Sequence, residues 1–178
     1  MSLARVAVVT TALIALVACG SSSTSSATSP TPSPTPTPKA KLFEKADACS
    51  LVMAADASSA TGATMTSVGG AGGACFYGTS DGKSTVLVFA QALSDVSSAQ
   101  AMQPEQAVAA LNSSYAIADA KVVTGIGDKA LEYTLSGAAM GYVIFVVKSN
   151  VVIMIAVSPA ANPSVVEQLG RTAVGNLK

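Results

Sequence analysis

The chain holds three cysteines and no histidine among its 178 residues. Those two counts bound the chemistry it can do. Without imidazole there is no Ser-His-Asp or Cys-His nucleophile pair, no histidine general base and no histidine metal ligand. What remains is thiol chemistry at Cys19, Cys49 and Cys75. A thiol can carry lipid, close a disulfide, bind metal or cycle redox state. Two isolated cysteines are too few for a zinc site. Cys49 and Cys75 are also far from a Cys-x-x-Cys arrangement, which argues against a redox role. No metal and no cofactor is expected.

Other short patterns match reactive motifs in letters only. Ser80-x-x-Lys83 needs the lysine one helical turn after the serine, but Asp81-Gly82 between them signals a tight hairpin. Gly82-Lys83-Ser84 ends like a phosphate-binding loop, but Tyr77 stands where its first glycine is required. Gly69–Gly73 lacks the third glycine of a dinucleotide fingerprint. Asp128 and Glu132 could form a carboxylate pair; they read instead as a turn aspartate and a solvated strand glutamate. Asn112-Ser113-Ser114 is a glycosylation sequon by letters alone. With no Trp and 4% aromatic residues, there is little ring surface for stacking sugars. No catalytic residue is assigned.

The thiol at Cys19 has the clearest context. Arg5 and the α-amino group precede an apolar run, Val6–Val17, that is too short for the roughly 20 residues of a membrane-spanning helix. A positive start, a short apolar core and small residues read as an export signal, 1–18. Leu16-Val17-Ala18-Cys19-Gly20 resembles a bacterial lipobox. The resemblance implies a diacylglyceryl thioether on Cys19, usually with an N-acyl chain such as palmitate. Two or more chains anchor stably where one binds only marginally. An ordinary signal-peptide cleavage site is the alternative, and it leaves Cys19 without a role. Residues 19–41 continue as a Ser/Thr/Pro-rich linker without a large apolar side chain, so it cannot bury enough surface to fold. Its Pro-alternating half, Ser29–Lys41, favours polyproline II and would reach on the order of 40 Å as a stalk. The localisation expected is the cell membrane, lipid-anchored, on the extracytoplasmic side.

If Cys19 carries lipid, Cys49 and Cys75 are left in an oxidising compartment and are expected to pair. Ten basic residues less Arg5 leave nine against ten acidic ones. No basic patch is present to neutralise phosphates, so nucleic acid is not an expected partner. Residues 42–178 are one domain by length and can bury about two-thirds of their unfolded surface.

The elements that would position these cysteines follow from periodicity and punctuation. Asp47 is a candidate N-cap for a helix that continues weakly through Ala54–Thr61 and stops at Gly62. Strands are expected at Met65–Val68, before a Gly69–Gly73 turn, at Ala74–Thr79 and at Thr85–Ala92. Pro104 divides Ser94–Ser114 into two helical pieces, with Val108, Leu111 and Tyr115 on one face of the second. Lys121–Thr124 and Leu131–Leu135 follow as strands around a Gly125–Asp128 turn. Tyr142–Lys148 and Val151–Val157 are apolar on both faces and should be central strands. Ser164-x-x-Glu167 reads as a capping box, and Val166, Leu169, Ala173 and Leu177 mark a final helix. The class is α+β: a mainly antiparallel sheet packed against helices, one domain, one disulfide.

Asp47-x-Cys49-x-Leu51, Cys75-x-Tyr77 and Val123-x-Gly125-x-Gly127-Asp128-x-Ala130 together resemble small actinobacterial lipoproteins of unknown function. Met53 departs from the Thr frequent there, and Phe76-Tyr77 stands where Cys-x-Trp is common. The resemblance implies a binding or accessory module and carries over no catalytic residues. The expected function is a non-catalytic envelope lipoprotein that holds an apolar ligand or a protein partner; a display lipoprotein without ligand is the alternative. The expected cleft lies between the sheet and the Ser94–Ser114 helices, with Tyr115, Tyr133, Met140 and Tyr142 as candidate lining residues.

Overall fold

Two runs without a charge between their ends, Tyr142–Val147 and Val151–Val157, lie at the centre of a seven-stranded sheet. The structure is a computed structural model that describes residues 41–111, 116–136, 140–160 and 162–178, with backbone only for 108–111. The element order is α1 (Ala48–Leu51), α2 (Ala54–Thr61), β1 (Thr66–Ala71), β2 (Ala74–Gly78), β3 (Thr85–Ala92), α3 (Val96–Ala101), α4 (Pro104–Leu111), β4 (Ala116–Val122), β5 (Lys129–Ser136), β6 (Gly141–Lys148), β7 (Val151–Ser158) and α5 (Ser164–Gly175). The strand order is β1-β2-β3-β7-β6-β5-β4, antiparallel throughout. The α+β class and the single disulfide follow as read from the sequence.

Strand alternation sends each central strand into two cores. Val86, Val88, Ile144, Val146, Ile153 and Ile155 face α1, α2 and α5, where Val166, Leu169 and Ala173 cover them. Val143, Phe145, Val147, Val152 and Met154 face the other way, with Ala99 of α3 and Ala107 of α4. The sheet is covered on both sides, which is why β6 and β7 are apolar at successive positions.

Several boundaries differ from the sequence reading. β1 runs on through Gly69 and Gly70 to Ala71, and the turn shrinks to Gly72-Gly73 at φ 59° and 83°. Two successive positive-φ glycines suffice to close a hairpin. The strand expected at Lys121–Thr124 is β4, which starts at Ala116 and ends at Val122. Its residues are almost all exposed, so no burial alternation marks them in the sequence. The capping box at Ser164 does not form. Ser164 lies inside α5, its amide donates to Asn162 Oδ1 at 3.1 Å, and Glu167 pairs with Arg171 at 2.6 Å. Of the helical face expected at Val108, Leu111 and Tyr115, Tyr115 lies outside the described residues and the other two are described in backbone alone.

Candidate functional site

The cysteine pair comes first, because the local sequence is built around it. Asp47 caps α1 by accepting from the Cys49 amide at 3.1 Å. Cys49 is bonded to Cys75 of β2, with the two Cα atoms 5.2 Å apart. Tyr77, two residues on and so on the same face of the strand, donates its hydroxyl proton to the Val52 carbonyl. Asn176, at the end of α5, donates to the Leu51 carbonyl at 3.0 Å. A four-residue helix leaves most of its backbone groups without helical partners. Here those carbonyls are taken up by Tyr77 and Asn176. Burial, then the charges of Asp47 and Asp56, push the Tyr77 phenol above its ordinary value, which keeps it a donor. Asp47-x-Cys49-x-Leu51 and Cys75-x-Tyr77 therefore work as one clamp.

The glycine motif is also architectural. Gly127 has φ 62°, and a Cβ there would lie 2.6 Å from the Val147 carbonyl oxygen. Between the glycines Ile126 is buried in the core. Asp128 receives the Ser149 amide at 2.6 Å and the Lys148 ammonium at 2.7 Å. Burial pulls the Asp128 carboxyl up, but those two donors outweigh it and hold its pKa below the ordinary value. The adjoining Asn150 is buried and makes three hydrogen bonds: Oδ1 accepts from Phe43 N at 2.8 Å, and Nδ2 donates to Phe43 O at 2.9 Å and Leu93 O at 2.7 Å. It fastens the first described residues to the β6–β7 turn. In the sequence its signal is the polar pair Ser149-Asn150 between two wholly apolar strands.

The candidate lining residues do not come together. Tyr133 is buried on the α3/α4 face, and burial followed by the Glu105 charge raises its pKa. Tyr142 is half-buried against the opposite core. Met140 is 76% exposed, and Tyr115 lies outside the described residues. Reading them as one cleft required them on one face, and strand alternation puts Tyr133 and Tyr142 on different ones. The surface carries open depressions, one of about 420 Å³ bounded by Glu44, Gly73, Phe89 and Gln91 and one of about 360 Å³ around Gly125–Asp128. Neither is lined by Tyr133, Met140 or Tyr142.

An open apolar strip lies on the α3/α4 face and meets the first of these depressions at Phe89. Phe76 of β2 pairs with Leu87 of β3, which pairs with Ala156 of β7; in the next row Phe89 sits between Ala74 and Met154. Phe76 is 42% exposed, Val68 beside it on β1 is 67% exposed, and Leu87, Phe89 and Ala156 are half-buried. The same rows become fully buried at Val143 and Phe145. Helical cover thus thins toward β1, leaving apolar side chains in water.

Glu132 corrects the sequence reading outright. It is not solvated: it is 6% exposed, on the α5 face of β5 opposite Ile144. Lys121 of β4 approaches its Oε1 only to 3.9 Å, and its Oε2 is buried with no hydrogen-bond partner. Burial raises the carboxyl above its ordinary value, Lys121 opposes this, and Glu167 of α5 adds to it.

Together these features define a disulfide-clamped α+β domain with an open apolar strip. In comparison with known proteins, the chain matches no family model and no curated relative. Its structure is similar to the extracellular domain of PknH from Mycobacterium tuberculosis, with 15% identity and a TM-score of 0.34, over 78% of this chain and 79% of that one.

Proposed function

We propose that this protein is a lipid-anchored, extracytoplasmic binding module, without catalysis of its own, that holds an apolar ligand or protein partner. The observation that supports it is the Cys49–Cys75 disulfide. It uses two of the three cysteines in a bond typical of oxidising compartments, and leaves Cys19, at the lipobox-like stretch, for lipid. The Val68–Phe76–Leu87–Phe89 strip supplies apolar surface of the kind that marks interaction sites.

The test is expression of the full chain and of Cys19→Ala in an exporting bacterium. The full chain is expected in the detergent-rich phase with an acylated Cys19 peptide in its mass spectrum, and Cys19→Ala in the aqueous phase. An unmodified Cys19 peptide overturns the anchor. For the domain, a photo-crosslinking side chain at Phe76 is expected to capture lipid or protein on intact cells; no adduct leaves a display lipoprotein without ligand.

A further inference from the structure

The two sulfurs of the disulfide have different surroundings. Cys75 is 1% exposed, inside the core, whereas Cys49 is exposed on the four-residue α1. Gly70 of β1 pairs with Cys75 of β2, so a side chain at 70 would stand on the disulfide's face of the sheet. A Cβ there would lie 3.2 Å from Cys49 Sγ and 3.0 Å from the Ala74 carbonyl oxygen. Glycine therefore leaves that side of the Cys49 sulfur uncovered. An open depression of about 410 Å³ adjoins Cys49, bounded by Asp47, Ser67 and the glycine-rich run from Gly69 to Ala74. Asp47 is the one charged residue among the described residues that bound it. On the buried side, Tyr77 Oη lies 3.2 Å from Cys75 Sγ while its own proton goes to the Val52 carbonyl.

We propose that Cys49 is a thiol-exchange site for a small neutral or cationic thiol, with Cys75 as the leaving sulfur. The incoming thiolate attacks Cys49 Sγ from the depression. A new S–S bond forms as the Cys49–Cys75 bond breaks, and the electron pair of the broken bond leaves on Cys75. Cys75 takes up from water the proton that the incoming thiol gave up, and its S–H then donates to Tyr77 Oη. One disulfide is exchanged for another, so no oxidant is required. In the reverse step Cys75 attacks Cys49, expels the small thiol and restores the clamp. Tyr77 and Asn176 still hold the α1 carbonyls meanwhile, which keeps the two sulfurs close. This is not Cys-x-x-Cys turnover: the cysteines are 26 residues apart, and one sulfur alone is open to attack. The site does not depend on what the open strip binds or on lipid at Cys19.

Asp47 sets which thiols enter. The attacking species is the thiolate, which brings a negative charge toward the Asp47 carboxylate. A cationic group elsewhere on the thiol offsets that repulsion, and a second carboxylate adds to it. For charges on the order of 6 Å apart in water, each unit changes the rate about threefold. Added salt shrinks the difference.

The experiment uses the full chain in detergent, carrying Cys19→Ala so that Cys49 and Cys75 are the cysteines left. It is treated with 2-mercaptoethylamine, 2-mercaptoethanol or 3-mercaptopropionate at equal thiolate concentration and low salt. Rates are taken relative to those with a small uncharged disulfide. Acid quenching at low conversion and peptide mass mapping locate the adduct. The adduct is expected on Cys49, with a free thiol on Cys75, at a rate that urea below the unfolding transition does not change. The expected order is cationic, neutral, anionic, with about threefold between successive thiols. Asp47→Asn keeps a capping side chain on α1 and is expected to level that order. Gly70→Ala is expected to slow all three thiols severalfold. An adduct on Cys75 overturns the proposal. So does a rate that climbs with urea as unfolding exposes both sulfurs, a charge order untouched by Asp47→Asn, or an unslowed Gly70→Ala. Should Gly70→Ala fail to fold, the position of the adduct and the Asp47→Asn comparison decide the question.

Discussion

The two faces of the sheet are made by the same strands and finished differently. On the α5 face, Val86, Val88, Ile153 and Ile155 lie under three helices, and α1 is fixed to β2 by the Cys49–Cys75 bond and the Tyr77 hydroxyl. On the α3/α4 face, Val143 and Phe145 are buried, while Leu87, Phe89 and Ala156 are half-exposed and Phe76 more so. The cover there is two helices of six and eight residues. A small domain buries only part of its apolar surface, and here what is left uncovered is concentrated on one half-face. The closed face should therefore hold the stability and the open half-face the interactions.

The disulfide gives the largest expected break in that contrast. Closing the loop between Cys49 and Cys75 removes entropy from the unfolded chain worth roughly 3–4 kcal/mol in the chain-entropy model. Cys49→Ser with Cys75→Ser is expected to lower the unfolding free energy by that equivalent, measured by urea denaturation, with an m-value that rises as the unfolded chain expands. A midpoint unmoved by the double substitution would show that Tyr77 and Asn176 hold α1 unaided.

Leu169→Ala against Leu87→Ala sharpens it. Leu169 is fully buried on the closed face, and truncation there should cost about 2–5 kcal/mol through lost burial and a cavity. Leu87 is half-buried on the open side, where solvent fills the space, and about 1 kcal/mol or less is expected. Equal costs from the two truncations, measured by denaturant unfolding, would mean that the open half-face is covered in solution and that the contrast is false.

How much of this is legible in the sequence depends on how many neighbours a residue's fate requires. Gly62, Pro104 and Asp47 act through their own backbone or their own first turn, and each is found where local chemistry puts it. β6 and β7 announce themselves because covering both faces leaves no polar position between their ends. β4 does not: an exposed edge strand has no buried period to read. Glu132 is the instructive failure. Leu131-Glu132-Tyr133-Thr134-Leu135 alternates as a strand with one wet face would, and Glu132 falls on the polar side of that alternation. That inference is sound for β5 alone. It fails because α5, thirty-odd residues later in the chain, lies over that face. The same non-local fact separates Tyr133 from Tyr142: each is apolar enough to line a cleft, but only register and helix placement decide which side of the sheet it meets. The disulfide was legible by counting cysteines, and the clamp around it was not, since Asn176 reaches Leu51 across 125 residues.

Phe76→Ser carries the smallest expected effect on folding and the most pointed one on function. Phe76 is 42% exposed on a strand whose neighbours Cys75 and Tyr77 turn into the closed core. Serine keeps the backbone pairing with Gly69 and Leu87. The stability change should lie within about 1 kcal/mol, as for a surface substitution that removes part of a ring from partial contact. An aromatic ring at the centre of an interface, by contrast, commonly contributes 2 kcal/mol or more to binding, roughly a thirtyfold change in affinity. Capture of a partner by the full chain should thus fall by about that factor in Phe76→Ser while the unfolding midpoint stays nearly fixed. Lost stability with retained capture would reverse the assignment of roles, making the strip part of the core and sending the search for the binding surface to the edge of β4.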